Sequence, residues 1–137
     1  MDIKLNWKEI GTVGEIKNLY KVQQLDINSD KYKILKEDGL YCVYKKYNDN
    51  YERIIYLGKA SHKNGKSLYK RLEAYMNYDK TKPSNSHEGG KDLWEIDGHE
   101  NFYIKVCKCD DCEEVETELL KSYKALHGDY PQANKRC

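Results

Sequence analysis

The chain has 137 residues, 34% of them charged and 39% hydrophobic, with a formal net charge of +1. That is enough for one compact domain with a core and too little for two ordinary ones. No run approaches the roughly 18 apolar residues that span a bilayer, and Met1-Asp2-Ile3-Lys4-Leu5 lacks the apolar stretch of a secretory signal, so the expectation is a cytoplasmic protein with no membrane association.

In chain order, residues 1–38 mix Lys, Asp and Asn with scattered apolar positions and are read as an N-terminal extension packed on or preceding the core, with a short helix hinted at around Ile16 to Leu25. From Gly39 to Tyr47, Leu40, Cys42 and Tyr44 alternate with Tyr41, Val43 and Lys45, the period of a strand. Asn48-Asp49-Asn50 is turn chemistry, and Glu52 to Gly58 carries a second β-prone run, so the two read as a hairpin. Ser67 can cap a helix reaching about Tyr78, whose Leu68, Leu72, Tyr75 and Met76 form one apolar stripe. Thr81 to Lys91, with Pro83 and Gly89-Gly90, is a loop. Phe102 to Cys107 predicts a third strand. Glu113 to His127 predicts a helix with Val115, Leu119, Ser122 and Leu126 on one face, stopped by Gly128. The order ββαβα implies an α+β fold, a small three-stranded, mostly antiparallel sheet flanked by helices, with residues 39–137 as the principal domain.

The charge is distributed unevenly. Lys59 to Lys91 carries eight basic and three acidic residues, a net +5, whereas Asp92 to Glu118 carries ten acidic and two basic ones, a net −8. Folded, this could give one basic and one acidic face. Five cysteines, an odd number, argue against a disulfide framework. Cys107, Cys109 and Cys112 could supply three zinc ligands with His99, His127 or Cys137 as a fourth, but no second ligand pair accompanies them.

Thirteen tyrosines against one phenylalanine mean that only position can single out a functional hydroxyl. Gly39-Leu40-Tyr41 and Tyr56-Leu57-Gly58 stand out, because they sit across one hairpin with a glycine at each end. With Lys59 after the second signature, Arg71 and Tyr75 on the next helix, Glu116 on the last helix and Asn134 after Pro131, the chain resembles the GIY-YIG nuclease family from Gly39 to Asn134. Both signatures carry Leu where that family usually has Ile. His62 resembles an arrangement in its restriction-endonuclease branch.

The resemblance implies a metal-dependent endonuclease that hydrolyses DNA phosphodiester bonds with Mg²⁺ or Mn²⁺. In that reading Tyr41 is the general base, Tyr56, Lys59 and His62 position water or tune the base, Arg71 holds the phosphate and Glu116 holds the metal, with Glu118 as the competing carboxylate. Gly39, Gly58, Tyr75, Lys91 and Asn134 contact substrate. Specificity would come from a partner protein, homodimerisation or a structure in the DNA. The chemistry suits these residue types: tyrosine, with a pKa of about 10, needs a nearby cation to act as a base, arginine offers a permanently charged fork for phosphate, and one carboxylate plus water suits magnesium at phosphate chemistry. The competing expectations are a non-catalytic nucleic-acid-binding module and a zinc-linked interaction module.

Overall fold

The computed structural model describes residues 5–48, 51–61, 67–76, 96, 98–131 and 134. Its frame is an antiparallel sheet of four strands: β1 (Lys8–Thr12), β2 (Gly39–Asn48), β3 (Tyr51–Ala60) and β4 (Tyr103–Lys108), in the spatial order β1-β4-β2-β3. Three α-helices accompany it among the described residues: α1 (Val13–Lys21), α2 (Leu68–Met76) and α3 (Cys112–His127). The α+β class, the β2–β3 hairpin and the later strand and helices are as the sequence predicts. The strand count is not, because residues 8–12 add a fourth strand on the outer edge of β4.

That strand is hard to read because its pairing shifts register between Glu9 and Gly11, and Gly11 adopts a φ of 140°. A bulge of this kind breaks the two-residue alternation that marks a strand. β1 runs straight into α1 through a capping box, in which the Thr12 hydroxyl accepts from the Glu15 N–H and the Glu15 carboxylate accepts from the Thr12 N–H. Ile10, Val13, Ile16, Tyr20 and Leu35 are all buried, so the segment before residue 39 supplies part of the core.

Strand alternation divides the core into two layers. Tyr41, Val43, Ile104 and Val106 face α1 and α2, where Leu68, Leu72, Tyr75 and Met76 form the expected buried stripe. Leu40, Cys42, Tyr44, Leu57 and Cys107 face the other way, toward α3. On α3 the buried positions are Cys112 and Leu120, with Val115 and Leu119 partly covered, while Leu126 is 79% exposed. The apolar face expected from Val115, Leu119, Ser122 and Leu126 is therefore rotated. The line Cys112, Glu116, Leu120 follows the i, i+4, i+8 spacing of one helix face, which turns Glu116 toward the sheet. Gly128, at φ 85°, closes the helix by donating to the Lys124 carbonyl.

Candidate active site

Tyr41 stands in the central strand β2, directly opposite Gly58 of β3. A Cβ at Gly58 would overlap the Cζ and Oη atoms of Tyr41, so the ring can lie across the neighbouring strand only because no side chain is there. Tyr56 stands 5.8 Å from Tyr41 between ring centroids, and Tyr75 of α2 stands 5.6 Å from Tyr41 and stacks on Tyr56 at 4.9 Å. Such ring pairs add stabilisation of roughly 0.5–1.5 kcal/mol each beyond the area they bury. Arg71, one turn before Tyr75, lies close enough to act on the Tyr41 phenol.

The Tyr41 side chain is completely buried, and its hydroxyl makes no hydrogen bond of standard geometry to any described residue, although Tyr56 and Arg71 adjoin it. Burial drives the pKa of Tyr41 well above the ordinary tyrosine value, Tyr56 adds to the rise, and the Arg71 guanidinium opposes it without overcoming it. The Arg71 guanidinium does not by itself bring Tyr41 into the range of a working base. Desolvation dominates, and Tyr41 is a neutral phenol at neutral pH. Tyr20 and Tyr44 are shifted in the same direction, chiefly by burial, and Tyr44 is further held protonated by its hydrogen bond to Glu9.

Raised phenol pKa values have a definite sign in stability. The protonated form is favoured by folding, so the contribution is fully present below the unfolded value of about 10 and is lost as pH rises beyond it. An ultraviolet titration is expected to show these three phenols resisting ionisation until the protein unfolds above pH about 10. Reversible ionisation of Tyr41 at its ordinary pKa in folded protein would contradict the burial described.

The second part of the site lies on the outer edge of β3. A cleft of about 280 Å³ is lined there by Tyr56, Lys59, Glu116, Leu120, Tyr130 and Asn134. The Lys59 ammonium lies 3.8 Å from the Glu113 carboxylate and 4.0 Å from that of Glu116. The two glutamates differ in setting, since the side chain of Glu113 is 85% exposed and that of Glu116 only 16%. Glu118 is exposed and does not line the cleft. Of the acidic run, Glu116 is the carboxylate both sheltered and open to this cleft. Tyr56 joins the two parts, stacking on Tyr75 and also lining the cleft. A larger groove of about 480 Å³ lies elsewhere on the α3 side, between Trp7, Arg53, Lys105 and Tyr123. It gathers neither the tyrosine cluster nor Glu116.

Tyr41, Tyr56, Arg71 and Tyr75 therefore come together, and Tyr56, Lys59 and Glu116 share the adjoining cleft. Four residues expected to contact substrate have other work. A Cβ at Gly39 would collide with the Cys107 carbonyl oxygen and lie 3.0 Å from Leu68, so both signature glycines make room for the protein's own atoms. Tyr75 is fully buried in ring contacts. Asn134 accepts from the Leu57 N–H at 2.8 Å and donates to the Leu57 carbonyl at 2.9 Å, spending its amide on the backbone of the second signature. The partner in this brace is 77 positions away in the chain, so the sequence does not name it. Asn134→Ala is expected to cost about 1–3 kcal/mol by leaving those edge groups unpaired and to speed hydrogen exchange at the Leu57 amide. Unchanged exchange there would refute the bracing role. His62 and Lys91 lie outside the described residues.

For a divalent cation, the donor set consists of one sheltered carboxylate beside a cleft, at a spot where two glutamates already face a positive charge. That fits a hard ion completing its shell with water and phosphate oxygens. Cys42, Cys107, Cys109 and Cys112 are free thiols, and among the described residues no group of three or more His, Cys, Asp or Glu side chains is placed to hold a metal. Also among the described residues, no helix is long and apolar enough to cross a membrane. No protein-family model, curated protein or solved structure matches the chain.

Proposed function

We propose that the chain is a Mg²⁺- or Mn²⁺-dependent endonuclease of the GIY-YIG type that hydrolyses DNA phosphodiester bonds. The observation that carries this reading is the convergence of the two signatures with Arg71 and Glu116: Tyr41 is set over Gly58 beside Tyr56 and Arg71, and Tyr56 also lines the cleft that holds Lys59 and Glu116. A partly exposed guanidinium beside that cluster suits an anionic phosphate oxygen. Arg71, partly exposed, binds the scissile phosphate, and Tyr41, enclosed behind it with Tyr56 and Tyr75, holds that guanidinium in place. Tyr56, with its ring in both parts of the site, orients the attacking water, and Lys59 balances the charge of Glu116. Glu116 is the residue that would hold the divalent ion, whose contribution when bound is to neutralise phosphate charge and lower the pKa of water.

The three-stranded core of that family corresponds in this reading to β2, β3 and β4, with β1 an addition. The test is incubation of the whole chain with plasmid, branched and single-stranded DNA, with Mg²⁺, with Mn²⁺ and with chelator. Cleavage that needs the ion and disappears in Glu116→Gln supports the reading. Folded protein that cuts none of the three with either ion overturns it, and retained DNA binding would then mark a non-catalytic binding module.

A further inference from the structure

Cys109-Asp110-Asp111-Cys112 joins β4 to α3 and has no part in the chemistry above. Cys109 is partly exposed, whereas Cys112 is the buried first residue of α3. The Cys112 thiol donates to the Cys109 carbonyl at 2.7 Å, reaches the Ala60 carbonyl at 3.5 Å, and is within hydrogen-bonding reach of the Cys109 thiol. Two thiols within hydrogen-bonding reach, with two residues between them at the start of a helix, form the arrangement that suits reversible dithiol chemistry. The surroundings give it a further consequence. Ala60 directly follows Lys59, and the helix that Cys112 opens carries Glu113 and Glu116, the two carboxylates that face Lys59.

We propose that Cys109 and Cys112 are a modification site, a dithiol that a hydroperoxide converts to an intramolecular disulfide, and that this bond withdraws the Cys112 sulfur from Ala60 and shifts the first turns of α3 against Lys59. Cys109, the more exposed thiol, reacts first. Its thiolate attacks the O–O bond, gaining one oxygen as a sulfenic acid while the other leaves and is protonated to water or an alcohol. The Cys112 sulfur then attacks the Cys109 sulfur, the S–S bond forms, and the sulfenic oxygen departs as water with the Cys112 proton. Two thiols are oxidised and one peroxide is reduced. Burial pushes the Cys112 thiol up to about 12, which keeps it from the first encounter with oxidant, and its attack in the second step rests on its place beside the Cys109 sulfur. The inference does not depend on the nuclease reading, because nothing in the test below requires DNA.

The test treats the whole reduced chain with a slight excess of hydrogen peroxide, alkylates remaining thiols and maps tryptic peptides by mass. Cleavage after Lys105, Lys108 and Lys121 separates Cys107 from a peptide, 109–121, that holds both Cys109 and Cys112. The expected result is a 109–121 peptide lighter by two hydrogens that takes up alkylating agent only after reduction. Amide exchange should then be faster at residues 57–60 and 112–117, with β1 and β4 unchanged. Wild-type mapping needs no variant, and Cys109→Ser should abolish the mass loss. Sulfinic acid on Cys109 with Cys112 still alkylated, or Cys109 linked to any other cysteine, overturns the dithiol. A correct disulfide with unchanged exchange at both segments overturns its coupling to Lys59.

Discussion

Gly39→Ala is expected to destabilise the protein by about 3 kcal/mol or more, lowering the melting temperature by roughly 10 °C. Gly58→Ala is expected to cost about 1–3 kcal/mol by another route. At Gly39 the new methyl meets the carbonyl oxygen of Cys107, on a strand paired to β2, and Gly39 is itself registered with Lys108 on one side and Ala60 on the other. Backbone held on both sides cannot move without breaking a ladder. At Gly58 the obstacle is the Tyr41 ring, which Tyr56 and Tyr75 already confine. A double-mutant cycle separates the two sites: in a Tyr41→Ala background the cost of Gly58→Ala should fall sharply, whereas that of Gly39→Ala should persist. Simple additivity for Gly58 and Tyr41, read from thermal unfolding, would show that the ring does not set the requirement for glycine.

Arg71→Ala and Glu116→Gln carry the largest expected effects on activity. Removing one preorganised group that stabilises a transition state costs about 10²–10³-fold in turnover, and each substitution is expected to lower ion-dependent DNA cleavage by that order. Arg71 is partly exposed and Glu116→Gln keeps the shape of the side chain in the cleft, so both variants should melt close to wild type. Their signatures differ. Arg71→Ala should weaken DNA binding as well as cleavage, since it removes a phosphate contact, and Arg71→Lys should recover binding better than turnover because it keeps the charge without the fork. Glu116→Gln should leave binding in chelator unaltered and raise the ion concentration needed for any residual cleavage. Wild-type turnover in either folded variant would remove that residue from the proposed mechanism.

The legibility of the fold follows the locality of its signals. Leu40, Cys42 and Tyr44 announce β2 because both layers of the core are written into adjacent positions, and the stripe of α2 is equally local. β1 is not announced, since Gly11 and its bulge interrupt a strand of five residues. The face of α3 is misread because Val115, Leu119 and Leu126 look as apolar as Cys112 and Leu120, and only the position of the sheet decides between them. In the site, the signature tyrosines, Arg71 and Glu116 are visible as residue types in order. What the sequence could not convey is environment. Tyr41 reads as a hydroxyl beside cations, and only the packing of Tyr56 and Tyr75 around it shows the burial that raises its pKa. The glycines suggest close approach, and the approaching atoms prove to be Tyr41 and the Cys107 carbonyl.

The grip of Asn134 on Leu57 has a consequence for how these molecules behave in a crowd. β3 is a terminal strand of the sheet, and an uncovered rim of N–H and C=O groups invites the rim of another molecule to add to it. The carboxamide answers both groups of Leu57 in the way a neighbouring strand would, yet it offers no further rim of its own. One side chain thus ends the ladder in the middle of β3, and its loss would expose a place where two chains could zip together.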